Sequence, residues 1–256
     1  MYMMLRVVYI LHMYDYDIAK VCNTFITVSF PICLEKIQLL LKKNPKGLVP
    51  VLIDRRGEEE VVVYESLIVV EYVDEVFGTD QKLLPGSASQ RANARMWSDM
   101  LNNTICSNFY TLLMKQDESS QKDAADKILS GLRKFSRHCV GPYFYGENLS
   151  IVDITIAPWM VGTRMGVLKQ YRGFEVPKTE EYAKYWAWYE AIISRPSFIA
   201  TSSDEDLQAI IDVYKPYAEG TGFVSTTQVK RVDDRPSYSR QQSSFRGKER
   251  DVSSKW

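Results

Sequence analysis

The chain contains few of the side chains that bind transition metals. Two histidines, His12 and His138, accompany four cysteines in 256 residues, and no two cysteines have the C-x-x-C spacing of structural zinc sites. We therefore expect no metal site. Scattered cysteines outside a disulfide framework are typical of a reducing compartment, which favours a cytoplasmic location. The four cysteines are Cys22, Cys33, Cys106 and Cys139.

A net charge and a long apolar run are also missing. The 32 basic and 32 acidic side chains cancel, so the overall charge gives no reason to expect nucleic acid or a membrane as a partner. No apolar run reaches the length of about 18 residues that spans a bilayer. The apolar N-terminus from Met1 to Leu11 is interrupted by Arg6 and is a poor match to a signal peptide. The composition, 45% hydrophobic, fits an ordinary globular protein of one or two domains.

The first half of the chain mixes strand-like and helical patterns. Apolar residues recur at helical spacing between Leu34 and Lys43, and Pro45 ends this helix because the residue before a proline avoids the helical region. The β-branched runs that follow predict a hairpin, after which Ser66 begins a second helix. The predicted elements are strands over 5–11, 25–30, 48–54 and 60–64 and helices over 34–43 and 66–76.

The second half is helical from Ala88 onward. Ser150 and Asp153 have the spacing of a variant capping box, in which each side chain accepts a hydrogen bond from the backbone of the other residue. Pro158 lies inside the helix that follows, and we expect it to kink that helix. The predicted helices cover 88–114, 121–139, a stretch starting at 150, 180–194 and 204–217.

These patterns predict two domains and a tail. An α/β domain covers 1–84, of which 1–31 is atypical, and an all-helical domain covers 88–217; the segment 82–86 between them reads as a linker packed by its two leucines. From about residue 224 the chain consists mainly of Ser, Gln, Arg, Lys and Asp. Such a composition cannot bury enough apolar surface to fold, so the tail 224–256 is predicted to be disordered.

The stretch from Asn44 to Leu52 has the features of a ligand-binding edge. Pro50 at the start of a strand has no N–H for the sheet, so the backbone of Val49 is available to a passing peptide, and the Val49–Pro50 bond is a candidate for the cis form. Ser66 begins a helix, and the first N–H groups of a helix attract an anion. Together these features predict a site for a short peptide that carries a carboxylate.

Five short motifs follow one another along the chain: NPKGLVP at 44–50, YES at 64–66, EYVDE at 71–75, KLLP at 82–85 and SIVD at 150–153. This ordered set of motifs resembles the glutathione transferase superfamily, and within it the omega-like, fungal omega-type class. The resemblance covers about residues 32–217. It implies a thioredoxin-like, glutathione-binding α/β domain followed by an all-α helical domain, usually in a homodimer.

The resemblance also implies which residues bind glutathione. Val49, before the cis Pro50, would pair its backbone with the cysteinyl part. Glu65 would hold the γ-glutamyl ammonium and Ser66 the γ-glutamyl carboxylate. Lys36 would face the glycyl carboxylate. Each assignment sets an opposite charge or a backbone donor against a polar end of the tripeptide. The structural alternatives are a plain helix cap for the Glu65–Ser66 pair and a solvated helix face for Lys36.

In the helical domain, Trp188 with Tyr185 and Tyr189 resembles the lining of the site for the second substrate. Aromatic residues at this helical spacing also occur as core residues, and that alternative stays open. Ser150 and Asp153 resemble the family's folding cap. Their expected role is stability, and the loss of such a cap costs roughly 0.5–2 kcal/mol.

The chain departs from the family pattern at the catalytic residue. Omega-like members use a cysteine in a Cys-Pro-Phe-like turn at the start of the first helix, where the helix N-terminus lowers the thiol pKa. The corresponding region, near Ile10 and Leu11, contains no cysteine. Tyr9 and Tyr14 are loose candidates for a hydroxyl nucleophile. Cys22 has a faint likeness to the cysteine motif but is too close to Pro50, and Cys33 lies where the second strand of the fold is expected. The catalytic residue is therefore unassigned. Either the first thirty or so residues are not the natural N-terminus, or the protein has lost the nucleophile.

Two functions follow from the resemblance. The first is a transferase that uses glutathione as co-substrate for thiol transfer, dehydroascorbate reduction or conjugation, with a small electrophile, a disulfide or dehydroascorbate as the second substrate. The second is a catalytically silent binding or regulatory scaffold that lacks the nucleophile. Neither function requires a metal, nucleic acid or membrane partner.

Overall fold

The structure, a computed structural model, describes residues 34–78, 82–84, 86–199 and 204–221. The expected strands at 5–11 and 25–30 and the expected tail 224–256 lie outside the described residues. So do Tyr9, Tyr14, Cys22 and Cys33.

The N-terminal unit consists of two helices and a hairpin. Strand β1 pairs antiparallel with strand β2, with Val51 opposite Tyr64 and Asp54 opposite Val61. The helix predicted over 34–43 has those bounds, and both strands begin later than predicted. The elements are α1 (Leu34–Lys43), β1 (Val51–Asp54), β2 (Val61–Tyr64) and α2 (Ser66–Phe77).

The rest of the described chain is helical. The helix predicted over 88–114 is divided by a π-helical turn at Asn102–Cys106. The α-helices are α3 (Ala88–Leu101), α4 (Ser107–Met114), α5 (Glu118–His138), α6 (Ile151–Met160), α7 (Thr163–Arg172), α8 (Ala183–Ile193), α9 (Pro196–Ile199) and α10 (Asp204–Ala218), and Glu180–Tyr182 forms a 3-10 turn before α8.

Strand β1 is buried on both faces because it lies between two layers. Val51 and Ile53 pack with Leu40 of α1 in a small cluster, whereas Leu52 points the other way and belongs to the main core. Side chains alternate along a strand, so one strand joins α1 to the helical part of the molecule. The main core is formed largely by α3 to α8 and includes Leu101, Ile105, Phe109, Ile128, Phe135, Ile154 and Trp188.

The linker after α2 is fixed by hydrogen bonds at both ends. Its Leu83 is buried; the Leu83 N–H donates to the Asp74 carboxylate at 3.0 and 3.1 Å, and its carbonyl accepts from the Ile151 N–H at 3.1 Å. Lys82 Nζ donates to the Gly78 carbonyl at 2.6 Å. The linker therefore ties the end of α2 to the start of α6.

Helix α6 ends two residues after Pro158 rather than continuing with a kink. The helical conformation is interrupted at Gly162, which has φ 64°, and α7 begins at the next residue. The stretch Ile151–Arg172 is long and apolar enough to cross a membrane by length and composition, but 76% of its most apolar window is buried inside the protein. Its apolar character is therefore explained by its place in the core.

Candidate functional site

The hairpin register brings the two motifs of the expected site to one end of the sheet. Pro50 directly precedes β1 and Glu65 directly follows β2, and the first residue of β1 lies opposite the last residue of β2. Because the strands are antiparallel, Val49–Pro50 and Glu65–Ser66 leave the hairpin side by side. The Val49–Pro50 peptide bond is cis.

Glu65 has an unusual backbone conformation. Its φ of 72° makes it the one non-glycine residue with positive φ in the described ranges. Few non-glycine residues adopt this region, and such outliers often lie at ligand sites. The Glu65 carbonyl still accepts the first hydrogen bond of α2, from the Val69 N–H at 2.9 Å. The direction of the Glu65 side chain is thus set by the turn from β2 into α2.

Ser66 is the first residue of α2 and is buried, with 4% of its surface exposed. The N-terminal end of a helix carries partial positive charge, which suits a carboxylate. Lys36 lies in the first turn of α1.

The turn before the cis bond is held by a residue that we did not single out from the sequence. Asn44 is 2% exposed, and its side chain bonds both sides of the turn. Its Nδ2 donates to the Leu48 carbonyl at 2.7 Å, and its Oδ1 accepts from the Lys46 N–H at 3.0 Å. An asparagine before Pro-x-Gly is a recognisable turn signal. Asn44 thereby fixes the path of the chain into Val49.

A carboxylate at the opposite end of β1 anchors the hairpin to α2. Asp54 accepts from Arg56 Nε at 2.9 Å and from the Tyr72 hydroxyl of α2 at 2.7 Å. The hydrogen bonds and charge of Arg56 hold the pKa of the Asp54 carboxyl well below its usual range. The Arg56 guanidinium also lies 4.4 Å from the ring of Phe77. These contacts fix α2 against the hairpin.

Trp188 does not line a surface. Its side chain is fully buried, and its Nε1–H donates to Asp153 Oδ1 at 2.8 Å. The neighbouring Tyr185 is also buried, and its hydroxyl donates to the Met160 carbonyl at 2.8 Å. Both aromatic residues satisfy their polar atoms inside the core. The expectation that Trp188 contacts the second substrate is corrected: it is a core residue.

Asp153 is the acceptor for four buried donors. The backbone N–H and the hydroxyl of Ser150 bond to its Oδ2 at 2.8 and 2.6 Å, forming the capping box at the start of α6. The N–H of Phe144 and the indole of Trp188 bond to its Oδ1 at 2.9 and 2.8 Å. The carboxylate is therefore a structural centre that joins α6, α8 and the loop before α6.

A buried cation that the sequence did not reveal joins the later helices. Arg164 is 1% exposed and lies 4.0 Å from the ring of Trp159. Its NH1 donates to the Pro158 carbonyl at 2.9 Å and its Nε to the Tyr214 hydroxyl at 3.3 Å. Tyr110 of α4 packs edge-on to Trp159, and burial raises its hydroxyl pKa. These contacts hold α10 against α4, α6 and α7.

Neither described cysteine has the surroundings of a nucleophile. Cys106 and Cys139 are both buried. Burial raises the pKa of the Cys139 thiol to about 11, and its Sγ donates to the Gly141 carbonyl at 3.3 Å. A thiol of this kind stays protonated and inert at neutral pH. Among the residues that the structure describes, no group of three or more His, Cys, Asp or Glu is arranged to hold a metal ion.

Comparisons with known proteins match both halves of the chain. The family model for the glutathione S-transferase N-terminal domain matches residues 26–75, and the one for the C-terminal domain matches 90–191. Glutathione S-transferase U28 of Arabidopsis thaliana is 30% identical over 67% of this chain and 74% of its own length. Glutathione S-transferase omega-1 of Sus scrofa is 28% identical over 70% of this chain and 71% of its own length.

Solved structures of glutathione transferases are also similar to this chain. Glutathione transferase Omega 3C from Trametes versicolor is 33% identical, with a TM-score of 0.57 over 69% of this chain and 73% of its own. A Tau class enzyme from mango shares the fold at 22% identity, with a TM-score of 0.64 over 84% of this chain and 94% of its own. The expected fold, a thioredoxin-like N-terminal domain followed by a helical domain, is confirmed. The chain belongs to the glutathione S-transferase family.

Proposed function

We propose that the chain binds glutathione at the end of the β1–β2 hairpin. The observation that carries this proposal is the strand register, which sets the backbone before Pro50 beside Glu65 and Ser66. The Val49 backbone pairs with the cysteinyl part of the peptide. The Glu65 carboxylate takes the γ-glutamyl ammonium, and Ser66 with the N-terminus of α2 takes the γ-glutamyl carboxylate.

Lys36 supplies the remaining charge that glutathione requires. At neutral pH the peptide carries two carboxylates and one ammonium group. Ser66 at the α2 N-terminus binds one carboxylate and Glu65 pairs with the ammonium. Lys36, in the first turn of α1, pairs with the glycyl carboxylate. The division into a glutathione-binding domain over 1–84 and a helical domain over 88–217 belongs to the same proposal.

The proposed reaction is omega-like thiol transfer, dehydroascorbate reduction or conjugation. In thiol transfer, a cysteine thiolate attacks the glutathionyl sulfur of a mixed disulfide and releases the substrate thiol. A second glutathione thiolate then attacks the protein–glutathione disulfide, which frees the cysteine and yields oxidised glutathione. The relatives include omega-1 proteins and a rice protein named DHAR1, at 26% identity. Cys22 and Cys33 are the thiols proposed for this role, because the other two are buried.

The burial of Cys106 and Cys139 also favours a second candidate, a silent scaffold that binds glutathione without turnover. The two candidates differ in one measurement. Turnover of a small mixed disulfide that is lost in Cys22→Ser or Cys33→Ser supports the enzyme. Retention on immobilised glutathione without turnover supports the scaffold.

We further propose a cytoplasmic homodimer that forms through α2 and α3. Ile68 of α2 and Met96 of α3 are 55% and 69% exposed, which is unusual for large apolar side chains. A bidentate ion pair, Arg95 Nε to Glu71 Oε1 at 3.2 Å and Arg95 NH2 to Glu71 Oε2 at 2.7 Å, holds the two helices together. Light scattering on the purified chain and on Met96→Glu tests this. A dimer that the substitution dissociates supports the interface, and a monomeric parent protein contradicts it.

The binding proposal is tested by titration calorimetry with S-methylglutathione, whose blocked thiol cannot form disulfides. Ser66→Ala should weaken binding by about ten- to a hundredfold, since it removes a hydrogen bond to the ligand's carboxylate. Glu65→Gln should weaken binding less, by about two- to fivefold, because the Glu65 side chain is 39% exposed. Glu118→Gln, on the exposed start of α5, is the control and should bind as the parent does. Binding unaffected by Glu65→Gln and Ser66→Ala would contradict the site.

A further inference from the structure

Glu65, the residue proposed to take the ligand's ammonium, already has a cation of the protein beside it. Lys46 Nζ lies 2.5 Å from Glu65 Oε1. The side chains are 45% and 39% exposed, so the pair lies at the surface where a ligand would arrive. The Lys46 ammonium is also 5.9 Å from the centre of the Tyr64 ring, close enough for a cation–π contact.

The backbones of both partners are fixed. Asn44 holds the turn that carries Lys46, through its hydrogen bonds to the Lys46 N–H and the Leu48 carbonyl. Gly47 follows with φ 62°, and its N–H donates to the Asn44 carbonyl at 2.8 Å. Glu65 is held in its positive-φ conformation between β2 and α2. The two charges are therefore brought together by the fold and not only by flexible side chains.

Three other basic residues in or beside the hairpin have different partners. Lys43 and Arg55 both pair with Glu60, and Arg56 pairs with Asp54. Among these four basic residues, Lys46 is thus the cation that pairs with Glu65.

We propose that Lys46 determines ligand specificity by occupying the ammonium site of the empty protein. The proposal rests on the proposed glutathione site. An incoming ammonium must displace Lys46 from Glu65, so it gains less than it would at an unpaired carboxylate. A γ-acyl peptide without the amine leaves the Lys46–Glu65 pair intact, so it binds only slightly more weakly than glutathione. The site therefore accepts deaminated or N-blocked analogues of glutathione as well as glutathione itself.

The test is a cycle that changes Lys46 and the ligand's amine separately. Calorimetry gives the Kd of S-methylglutathione and of its des-amino counterpart, with glutaryl in place of γ-glutamyl, for the parent protein and for Lys46→Met. The contribution of the amine is expressed as a ratio, the Kd of the des-amino peptide divided by the Kd of S-methylglutathione. This ratio should rise by about two- to fivefold in Lys46→Met, the size expected for an exposed ion pair.

Two further variants sharpen the test. Lys43→Met removes the same charge three residues earlier, at the end of α1, but the partner of Lys43 is Glu60, so the ratio should stay at the parent value. Lys46→Gln keeps a polar side chain and should change the ratio in the same direction as Lys46→Met. Melting temperatures check that each variant is folded.

Each outcome separates this inference from the proposed function. If both peptides bind but the ratio is unchanged or lower in Lys46→Met, the role of Lys46 is overturned while the glutathione site stands. If Lys43→Met raises the ratio equally, the effect is one of general charge and the specific role of Lys46 is overturned. If neither peptide binds the parent protein, the proposed function fails, and the inference fails with it.

Discussion

The indole Nε1–H of Trp188 and the carboxylate of Asp153 are joined by a 2.8 Å hydrogen bond in the core, although the residues are 35 positions apart in the sequence. Both side chains are fully buried. The bond connects the middle of α8 to the first turn of α6, so the capping box of α6 also positions α8. An aromatic residue that resembles a ligand contact in the sequence is thereby part of the folding centre.

We predict that Asp153→Ala lowers the free energy of unfolding by about 3–5 kcal/mol, because it leaves four buried donors without an acceptor. Ser150→Ala should cost less, about 0.5–2 kcal/mol, since it removes one side of the cap. Urea denaturation measures both. Glu190→Ala on the exposed side of α8 is the control and should change stability by less than about 0.5 kcal/mol. Equal losses for Asp153→Ala and Ser150→Ala would contradict the central role of the carboxylate.

The second prediction concerns the acid stability of the hairpin. The pKa of Asp54 is lowered in the folded protein, chiefly by Arg56, below the unfolded value of about 3.9. The ionised form therefore stabilises the fold above about pH 4, and this stabilisation is lost as the pH falls towards the folded pKa. Asp54→Asn should reduce stability at neutral pH and show a shallower fall in stability below about pH 4. Urea midpoints across this range measure it, and parallel curves for the two proteins would count against it.

Elements specified by local patterns could be predicted from the sequence. Helix α1 has the bounds that its apolar spacing and Pro45 indicate, and α2 ends one residue beyond the predicted 66–76. In each case the start or stop signal lies within a few residues of the element. The Val49–Pro50 cis bond is likewise associated with one dipeptide.

Features that depend on distant partners could not be predicted. The Lys46–Glu65 pair depends on which residues of β1 and β2 lie opposite each other. The spacing of apolar residues does not determine this register to within one residue. The sequence around Arg164 gives no sign that this residue is buried. Its contacts with Trp159 and Tyr214 are visible only in the structure. The π-helical turn at Asn102–Cys106 has no signal in its composition that we could identify.

The third prediction concerns the thiols. Cys139 is buried with a pKa raised to about 11, and Cys106 is buried as well, so neither should react with iodoacetamide in the native protein at neutral pH. Peptide mapping by mass spectrometry, before and after urea denaturation, measures the modification of each cysteine separately. Labelling of Cys139 at the same rate in both states would contradict its burial. The same map shows whether Cys22 or Cys33 is the reactive thiol that the proposed enzyme requires.

The fourth prediction concerns the end of α10, where the Ala218 carbonyl accepts hydrogen bonds from Arg172 and from Gln116 Nε2. Arg172 donates to the carbonyls of Leu112 at 3.0 Å and Ala218 at 2.6 Å, and also to the Leu113 carbonyl. These carbonyls belong to the C-terminal ends of α4 and α10. The last carbonyls of a helix have no hydrogen-bond donor within the helix and carry partial negative charge. Arg172 therefore acts as a shared cap for two helices.

Replacing this cap should loosen α10 before the rest of the fold. Arg172→Met keeps much of the apolar stem but removes the donors, and we expect it to cost about 2–3 kcal/mol, because three partly buried carbonyls lose a charged donor. Hydrogen exchange should quicken in α10 more than in α5. Lys169→Met is the matched control, since Lys169 lies one turn earlier on α7 and pairs only with the exposed Glu175. Exchange that is equally fast in α5 and α10 of Arg172→Met would mean that the cap stabilises the whole domain and not α10 in particular.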